Sequence, residues 1–441
     1  MKVCQRWRYL ILGSASHLGL CLVCSRGTPV AEMLAHSPPL PLIIHHDDNN
    51  HDLTPEDERG IMFALENRDR VQRICLGMSV PSLQKVIKVM EDQFPMLEYL
   101  YIAPPTMHDD HLVLPTTFRA AQLNYLLLDH FAFPIGSPLL TTAVNLVRLM
   151  LRWIHPPTNL YPSHLLQVLS LLPRLQDLIL IFSFPIPNRE IERHMLHMPN
   201  ITHTTLPDLR FFHFGGVCAY LEVLLSHINA PLLRNLGITF FNQLSFSLPH
   251  LYQFVTTAEN IRPNRVEFLF YHKAVAVYMY SSMSDLNYTL GLHVGCNHLD
   301  WQVSSMAQIF NVFNPLFSAM ELTLDYRSHI LSSEWHNQAD LTQWRKLLGS
   351  FKNVRTLRVH DGLVGELSHC PALDGEPASE ILPELKTLIC PIGSRDDKRF
   401  ARFVHDREVA GLPIDLIEEV SPAGEYEYRF TTASGMEYYV S

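Results

Sequence analysis

Apolar and polar positions fall into one short frame that recurs twelve times along the chain: apolar, two variable residues, apolar, one variable residue, apolar. It begins with Val71-Ile74-Leu76 and Leu97-Leu100-Ile102, passes through Leu175-Leu178-Leu180, Leu209-Phe212-Phe214 and Val266-Leu269-Tyr271, and closes with Leu385-Leu388-Cys390. Strand side chains alternate between faces, so the fourth and sixth positions of each frame predict a buried row and the third, fifth and seventh an outward one. Between strands the spacing turns helical over 81–94, 162–172, 219–228, 301–310 and 339–351. In the second of these, Leu165, Leu166, Leu169 and Leu172 form an apolar stripe that would pack behind the strands.

Proline stands two residues before the frame's first position at Pro95, Pro173, Pro207, Pro231 and Pro383. It cannot continue a helix and biases its neighbour towards extended backbone, so it marks the handover from helix to strand. Successive frames lie 23 to 35 residues apart and average about 28.5, the upper end of the roughly 20–29 residues of a leucine-rich repeat. The predicted architecture is therefore α/β: a leucine-rich-repeat-like solenoid, a ladder of parallel strands with returning helices, in one elongated body.

The outward positions give a candidate partner-binding concave face of Tyr99, Tyr101, Tyr125, Arg148, Arg152, Phe211, His213, Phe268, Phe270 and His272. Aromatic residues and arginine are the side chains that interface centres favour. A register displaced by one residue would instead turn the same rings into the core.

Composition narrows the function. Hydrophobic residues make up 47% and charged residues 18%, which is material for a packed core and not for a disordered chain. With 34 basic against 44 acidic residues and a net charge of -10, no basic footprint for nucleic acid or for anionic membranes exists. No apolar run reaches the ~18 residues of a membrane span, and the apolar stretch after Arg8 is interrupted by His17, against a cleaved leader. The eight cysteines are scattered, and the Cys21/Cys24 pair lacks the second pair that zinc requires; reduced thiols in a cytoplasmic or nuclear protein are expected.

The strongest case for an enzyme is 45–52, His-His-Asp-Asp-Asn-Asn-His-Asp, with a second cluster at His108-Asp-Asp-His111. Such donors suit a divalent ion in a metal-dependent hydrolase, but adjacent residues of an extended loop diverge, so the better reading is a solvated loop after a strand at 42–44. Thr54, followed by Asp57 and Glu58, starts the next helix. No Gly-x-Ser-x-Gly elbow, phosphate loop or dinucleotide fingerprint occurs. No catalytic residue, metal or cofactor is assigned.

The stretch Val3-Cys4-Gln5-Arg6-Trp7-Arg8-Tyr9-Leu10 resembles the last helix of an F-box. The residues after it, through Leu18-Gly-Leu-Cys-Leu22 and Pro39-Leu-Pro-Leu-Ile-Ile44, resemble the entry into the degenerate repeats of fungal-type F-box proteins, and 400–413 resembles the end of that family. The resemblance implies a substrate receptor of a Skp–cullin–F-box ubiquitin ligase that does no chemistry itself. Val3, Cys4, Trp7 and Leu10 would grip the Skp-type adaptor, and the repeats would hold a protein substrate. The chain opens inside the last of the three helices an F-box normally has, and most repeats lack the family's Asn, which only Asn297 matches. The same residues would also suit a free-standing leucine-rich-repeat scaffold outside any ligase. The expected domains are 1–25, a partial F-box-like helix and linker; 26–393, the solenoid; and 394–441, a C-terminal helix and a strand cap around Thr431-Thr-Ala-Ser-Gly435.

Overall fold

In the computed structural model the described residues are 19–47, 53–105, 112–132, 138–154, 161–183, 203–241, 243, 245–258, 260–282, 288–313, 318–326, 341–359, 363, 381–393, 398–419, 429–431 and 437–439. The fold is mixed α/β, and the chain divides into two compact units. The first comprises Met1–Phe184 and Pro199–Leu209, the second Pro185–Met198 and Arg210–Ser441.

In the first unit seven strands pair in chain order, each parallel to the next: β1 (Leu22–Cys24), β2 (Leu42–Asp47), β3 (Val71–Gly77), β4 (Tyr99–Ala103), β5 (Tyr125–Asp129), β6 (Arg148–Ile154) and β7 (Asp177–Phe182). The register aligns frame on frame. Ile74 faces Leu100, Leu100 faces Leu126, Leu126 faces Leu149 and Leu149 faces Leu178, and all five are fully buried. A second row runs Leu76, Ile102, Leu128, Leu151, Leu180 in the same way. Each buried aliphatic side chain of the two rows contributes ~1.5–3 kcal/mol of burial, beside the buried first-position residues Leu97, Leu123, Leu146 and Leu175.

The helices that return between strands are α1 (Val30–His36), α2 (Pro55–Glu66), α3 (Val80–Val89), α4 (Pro138–Thr142) and α5 (Pro162–Leu169). Helix α2 starts where its cap predicts: the Asp57 N–H donates to Thr54 Oγ1 at 3.1 Å, and the Thr54 hydroxyl donates back to Asp57 Oδ2 at 2.6 Å. Helix α5 buries Leu165, Leu166 and Leu169 of the anticipated stripe; it ends at Leu169, and Leu172 is buried in the turn that follows. A two-residue strand β8 (Thr204–Thr205) lies against the helix, the Thr204 hydroxyl donating to the Leu166 carbonyl at 3.3 Å.

The prolines do what their position implies. In each of five turns the N–H of the frame's first residue donates to the carbonyl three residues back, with proline between: Leu97 to Phe94, Leu175 to Leu172, Leu209 to Leu206, Leu233 to Ala230 and Leu385 to Leu382. Proline's fixed φ is pre-set for the second position of such a turn.

The second unit contains β9 (Phe211–Gly216), α6 (Cys218–Leu225), β10 (Ile228–Asn229), β11 (Asn235–Phe241), α7 (Pro249–Thr257), β12 (Arg265–Tyr271), β13 (Ala274–Tyr280), β14 (Leu290–Gly295), α8 (Leu299–Phe313), β15 (Glu321–Tyr326), α9 (Leu341–Gly349), β16 (Thr356–Val359), β17 (Thr387–Pro391), α10 (Lys398–Val409) and β18 (Asp415–Glu419). Its sheet order is β9-β11-β14-β13-β12-β15-β16-β17-β18. Strand β13 departs from the expected all-parallel ladder, pairing antiparallel with both β12 and β14. Only His272 and Lys273 separate β12 from β13, too few residues for the crossover that parallel pairing needs. A closing hairpin pairs β19 (Arg429–Thr431) antiparallel with β20 (Glu437–Tyr439), as the sequence around Thr431 predicts.

The hairpin insertion corrects one frame. Val266 pairs with Leu322 and Phe268 with Leu324, so the core-facing set of β12 is Val266, Phe268 and Phe270, not Leu269 and Tyr271. Phe268 and Phe270 are fully buried. Phe268 packs against Phe310 at 5.1 Å and Phe351 at 5.8 Å, and Phe270 against Trp344 at 5.6 Å. Both were expected on the partner-binding face; they are core.

Candidate functional site

The strand face opposite the leucine rows of the first unit carries an ordered sequence of side chains, one from each successive strand. The register places Arg73, Tyr99, Tyr125, Arg148 and Asp177 in one row. The Arg73 guanidinium lies 5.0 Å from the centre of the Tyr99 ring, and Tyr99 stacks on Tyr125 at 4.3 Å with the planes 11° apart. The Tyr125 hydroxyl donates to Met150 Sδ at 3.5 Å, and Arg148 Nε meets Asp177 Oδ2 at 2.8 Å. Guanidinium over ring and ring on ring are the contacts these side chains favour.

Two further rows run beside it: Cys75, Tyr101, Leu127, Met150 and Ile179, then Gly77 and Ala103, with Asp129 and Arg152 paired on β5 and β6. Arg152 grips Asp129 through both nitrogens of its fork, Nε to Oδ1 at 2.7 Å and Nη2 to Oδ2 at 2.5 Å. Just beyond, the pairing of β6 slips between Leu151 and Ile154, and Trp153 takes the left-handed φ of +52° that this bulge requires. Its ring meets that of His130, itself at φ +58°, edge to face at 6.1 Å.

Accessibility divides this face. Tyr125, Leu127, Met150 and Ile179 point away from the helices yet are buried, Met150 lying between Arg148 and Arg152 of its own strand. On β2 to β4 the same face is open: His45, Asp47 and Arg73 are exposed, and Cys75, Tyr99 and Tyr101 are half-buried. Burial, with the nearby Asp47 carboxylate second, pushes the Cys75 thiol up to about 12 and the Tyr101 hydroxyl higher still. Such a shift favours the neutral thiol over the thiolate.

In the second unit Phe211 and His213 also point away from the leucine rows, paired with Asn235 and Gly237, and both are buried. His213 lies across Gly237, its Nδ1 2.5 Å from where a Cβ would stand, and Tyr288 covers Gly291 in the same manner at 2.9 Å. Burial holds the His213 and His293 imidazoles down to about 4, the proximity of His293 adding to the effect on His213. Leu269, Ala276, Tyr278 and Tyr280 form a separate apolar cluster with Tyr271 and Tyr288 against it. Arg265 lies 4.1 Å from the Tyr280 ring centre. His272 is exposed in the two-residue turn beyond β12.

The expected site residues thus separate. Tyr99, Tyr101, Tyr125, Arg148 and Arg152 share one face of the first unit; Phe211 and His213 lie on the corresponding face of the second; Phe268 and Phe270 are core. Val3, Cys4, Trp7 and Leu10 lie outside the described residues. Arg73 and Cys75 are legible as the third and fifth positions of the first frame. Asp47 is not, because the apolar run that predicts β2 ends at Ile44, whereas the strand continues to Asp47.

That extension also corrects the loop expected from His45 onward. His45 and Asp47 point outward and His46 is buried, with its imidazole lowered by burial in spite of Asp57 nearby. Neighbouring donors on a strand cannot converge on one ion. Among the described residues no three His, Cys, Asp or Glu side chains are grouped to hold a metal; 48–52 and 108–111 lie outside them. The described cysteines 21, 24, 75, 218, 296 and 390 are not joined in disulfides. No described helix is long and apolar enough to cross a membrane.

No protein-family model matches the sequence. No curated protein matches it either. Among solved structures, the leucine-rich repeat-containing protein LegL7 from Legionella pneumophila aligns over 89% of this chain and 98% of its own, at 12% identity and a TM-score of 0.29.

Proposed function

We propose that the chain is a non-enzymatic protein-recognition module and, within that class, a substrate receptor of a Skp–cullin–F-box ubiquitin ligase. The observation that carries recognition is the open part of the first unit's outward strand face. There Arg73, Tyr99 and Tyr101 stand exposed or half-exposed on β3 and β4, with Asp47 beside them on β2. A rigid ladder that spaces rings and charges at strand intervals pre-organises them for a macromolecular surface. The ligase role rests on the F-box-like run from Val3 to Leu10.

The test is co-purification of the tagged chain from its native cells, scored for the Skp-type adaptor and the cullin beside a Trp7→Ala variant. Recovery of both, weakened by the substitution, supports the receptor. Absence of both removes the ligase role and leaves a recognition module working outside it.

A further inference from the structure

The open part of this face is electrically divided. Arg73 stands in the row of Ile43, Tyr99 and Tyr125, and Asp47 two rows further towards the carboxyl ends of the strands, beside Gly77. Ile43 and Asp47 are four residues apart on one strand, so the two charges are offset by roughly 13 Å at ~3.3 Å per residue. Their neighbours differ from them. Arg148 and Arg152, further along the face, are paired with Asp177 and Asp129. Among the described residues Arg73 lies over the Tyr99 ring and beside the Cys75 thiol, and neither Arg73 nor Asp47 is in an ion pair. Between the two lie the half-exposed Tyr99 and Tyr101 rings, the Cys75 thiol and the exposed His45 imidazole.

We infer that this face selects its partner by charge order: Arg73 takes an acidic side chain, Asp47 beside the Tyr101 hydroxyl takes a basic one, and an apolar residue between them lies on Tyr99 and Tyr101. The occupant is an extended protein segment whose acidic and basic residues are about four positions apart, the spacing that spans the offset. Exposed opposite charges set register and partner choice more than they set affinity, and like charges at either position repel the wrong segment. The inference rests on the recognition reading and deepens it by naming the partner's chemistry.

A random 12-residue peptide library displayed on phage is panned against the immobilised full chain, and selected peptides are resynthesised for titration by fluorescence anisotropy. The expected peptides carry an acidic and a basic residue four positions apart with an apolar one midway between them. Binding should weaken about tenfold or more with Asp47→Lys or with Arg73→Glu, and return when the facing charge of the peptide is inverted. Circular dichroism checks that both variants, altered only at exposed strand positions, remain folded. Peptides that bind but lack the charge pair, or ignore both substitutions, overturn the inference and leave the recognition reading standing. Failure to enrich any peptide over the bare support overturns both.

Discussion

Tyr99 and Tyr125, 26 residues apart in sequence, stack face to face with ring centres 4.3 Å apart. Parallel pairing in strict register brings them together, and Tyr125 goes on to donate to Met150 Sδ at 3.5 Å on the following strand. From Tyr125 onward the outward face of the first unit is in this way a second layer of packing.

Removing the middle ring of that layer should be costly. Tyr125→Ala is expected to destabilise the protein by about 3 kcal/mol, because Tyr125 is buried and its loss leaves a void between Tyr99 and Met150. Tyr125→Phe keeps the ring and removes the hydroxyl that bonds Met150 Sδ and the Tyr99 hydroxyl, and should cost about 1 kcal/mol. Urea titration followed by circular dichroism distinguishes the two; equal costs would show that the hydroxyl and not the ring holds the stack.

Phe268 marks the corrected register. If it lies in the core between Phe310 and Phe351, Phe268→Ala should cost about 3–5 kcal/mol, whereas alanine at the exposed His272 should change stability by less than about 0.5 kcal/mol. Comparable, small effects at both positions would return Phe268 to the surface.

Gly237 leaves room for the His213 ring, since an added methyl would stand 2.5 Å from its Nδ1. Gly237→Ala is expected to cost about 1–3 kcal/mol by overpacking. In the His213→Ala background the same change should cost much less, giving a coupling of about 1 kcal/mol or more in a double-mutant cycle. Additive effects would mean that the ring does not occupy the glycine's space.

His213 and His293 make the second unit sensitive to acid. Burial lowers both folded values to about 4, below the ~6.5 of the unfolded chain. Between these values the unfolded state binds protons that the folded state refuses, so stability falls as pH drops from about 6.5 to 4, by a few kcal/mol in all where both sites act. Above pH 7 neither contributes. Urea midpoints measured from pH 7.5 to 4.5, with His213→Gln as a non-titrating comparison, should show a shallower slope in the variant; parallel slopes would mean that another group governs the acid response.

The apolar frame alone determined the repeated strand, the identity of the two buried rows and, through proline, the turns that open them. These are local matters: alternation places every second side chain on one face, and proline fixes the turn wherever it stands. Leu100, Leu126 and Leu149 could be read as core because each sits in the same slot of its own frame. The helix of 162–172 was legible for the same reason, from its leucine spacing.

What the tertiary structure decided is non-local. The frame at Val266 contains apolar residues at both Phe268 and Leu269, so alternation has no preference there, and only pairing with β13 and β15 turns the phenylalanines inward. Whether an outward ring is accessible also depends on its neighbours across the strands: Tyr125 and Met150 are covered by theirs, whereas Tyr101 is left half-open. The charges of the open face follow the same logic. Arg152 and Arg73 are both outward arginines of their frames, but parallel register supplies the Asp129 carboxylate to one and the Tyr99 ring to the other.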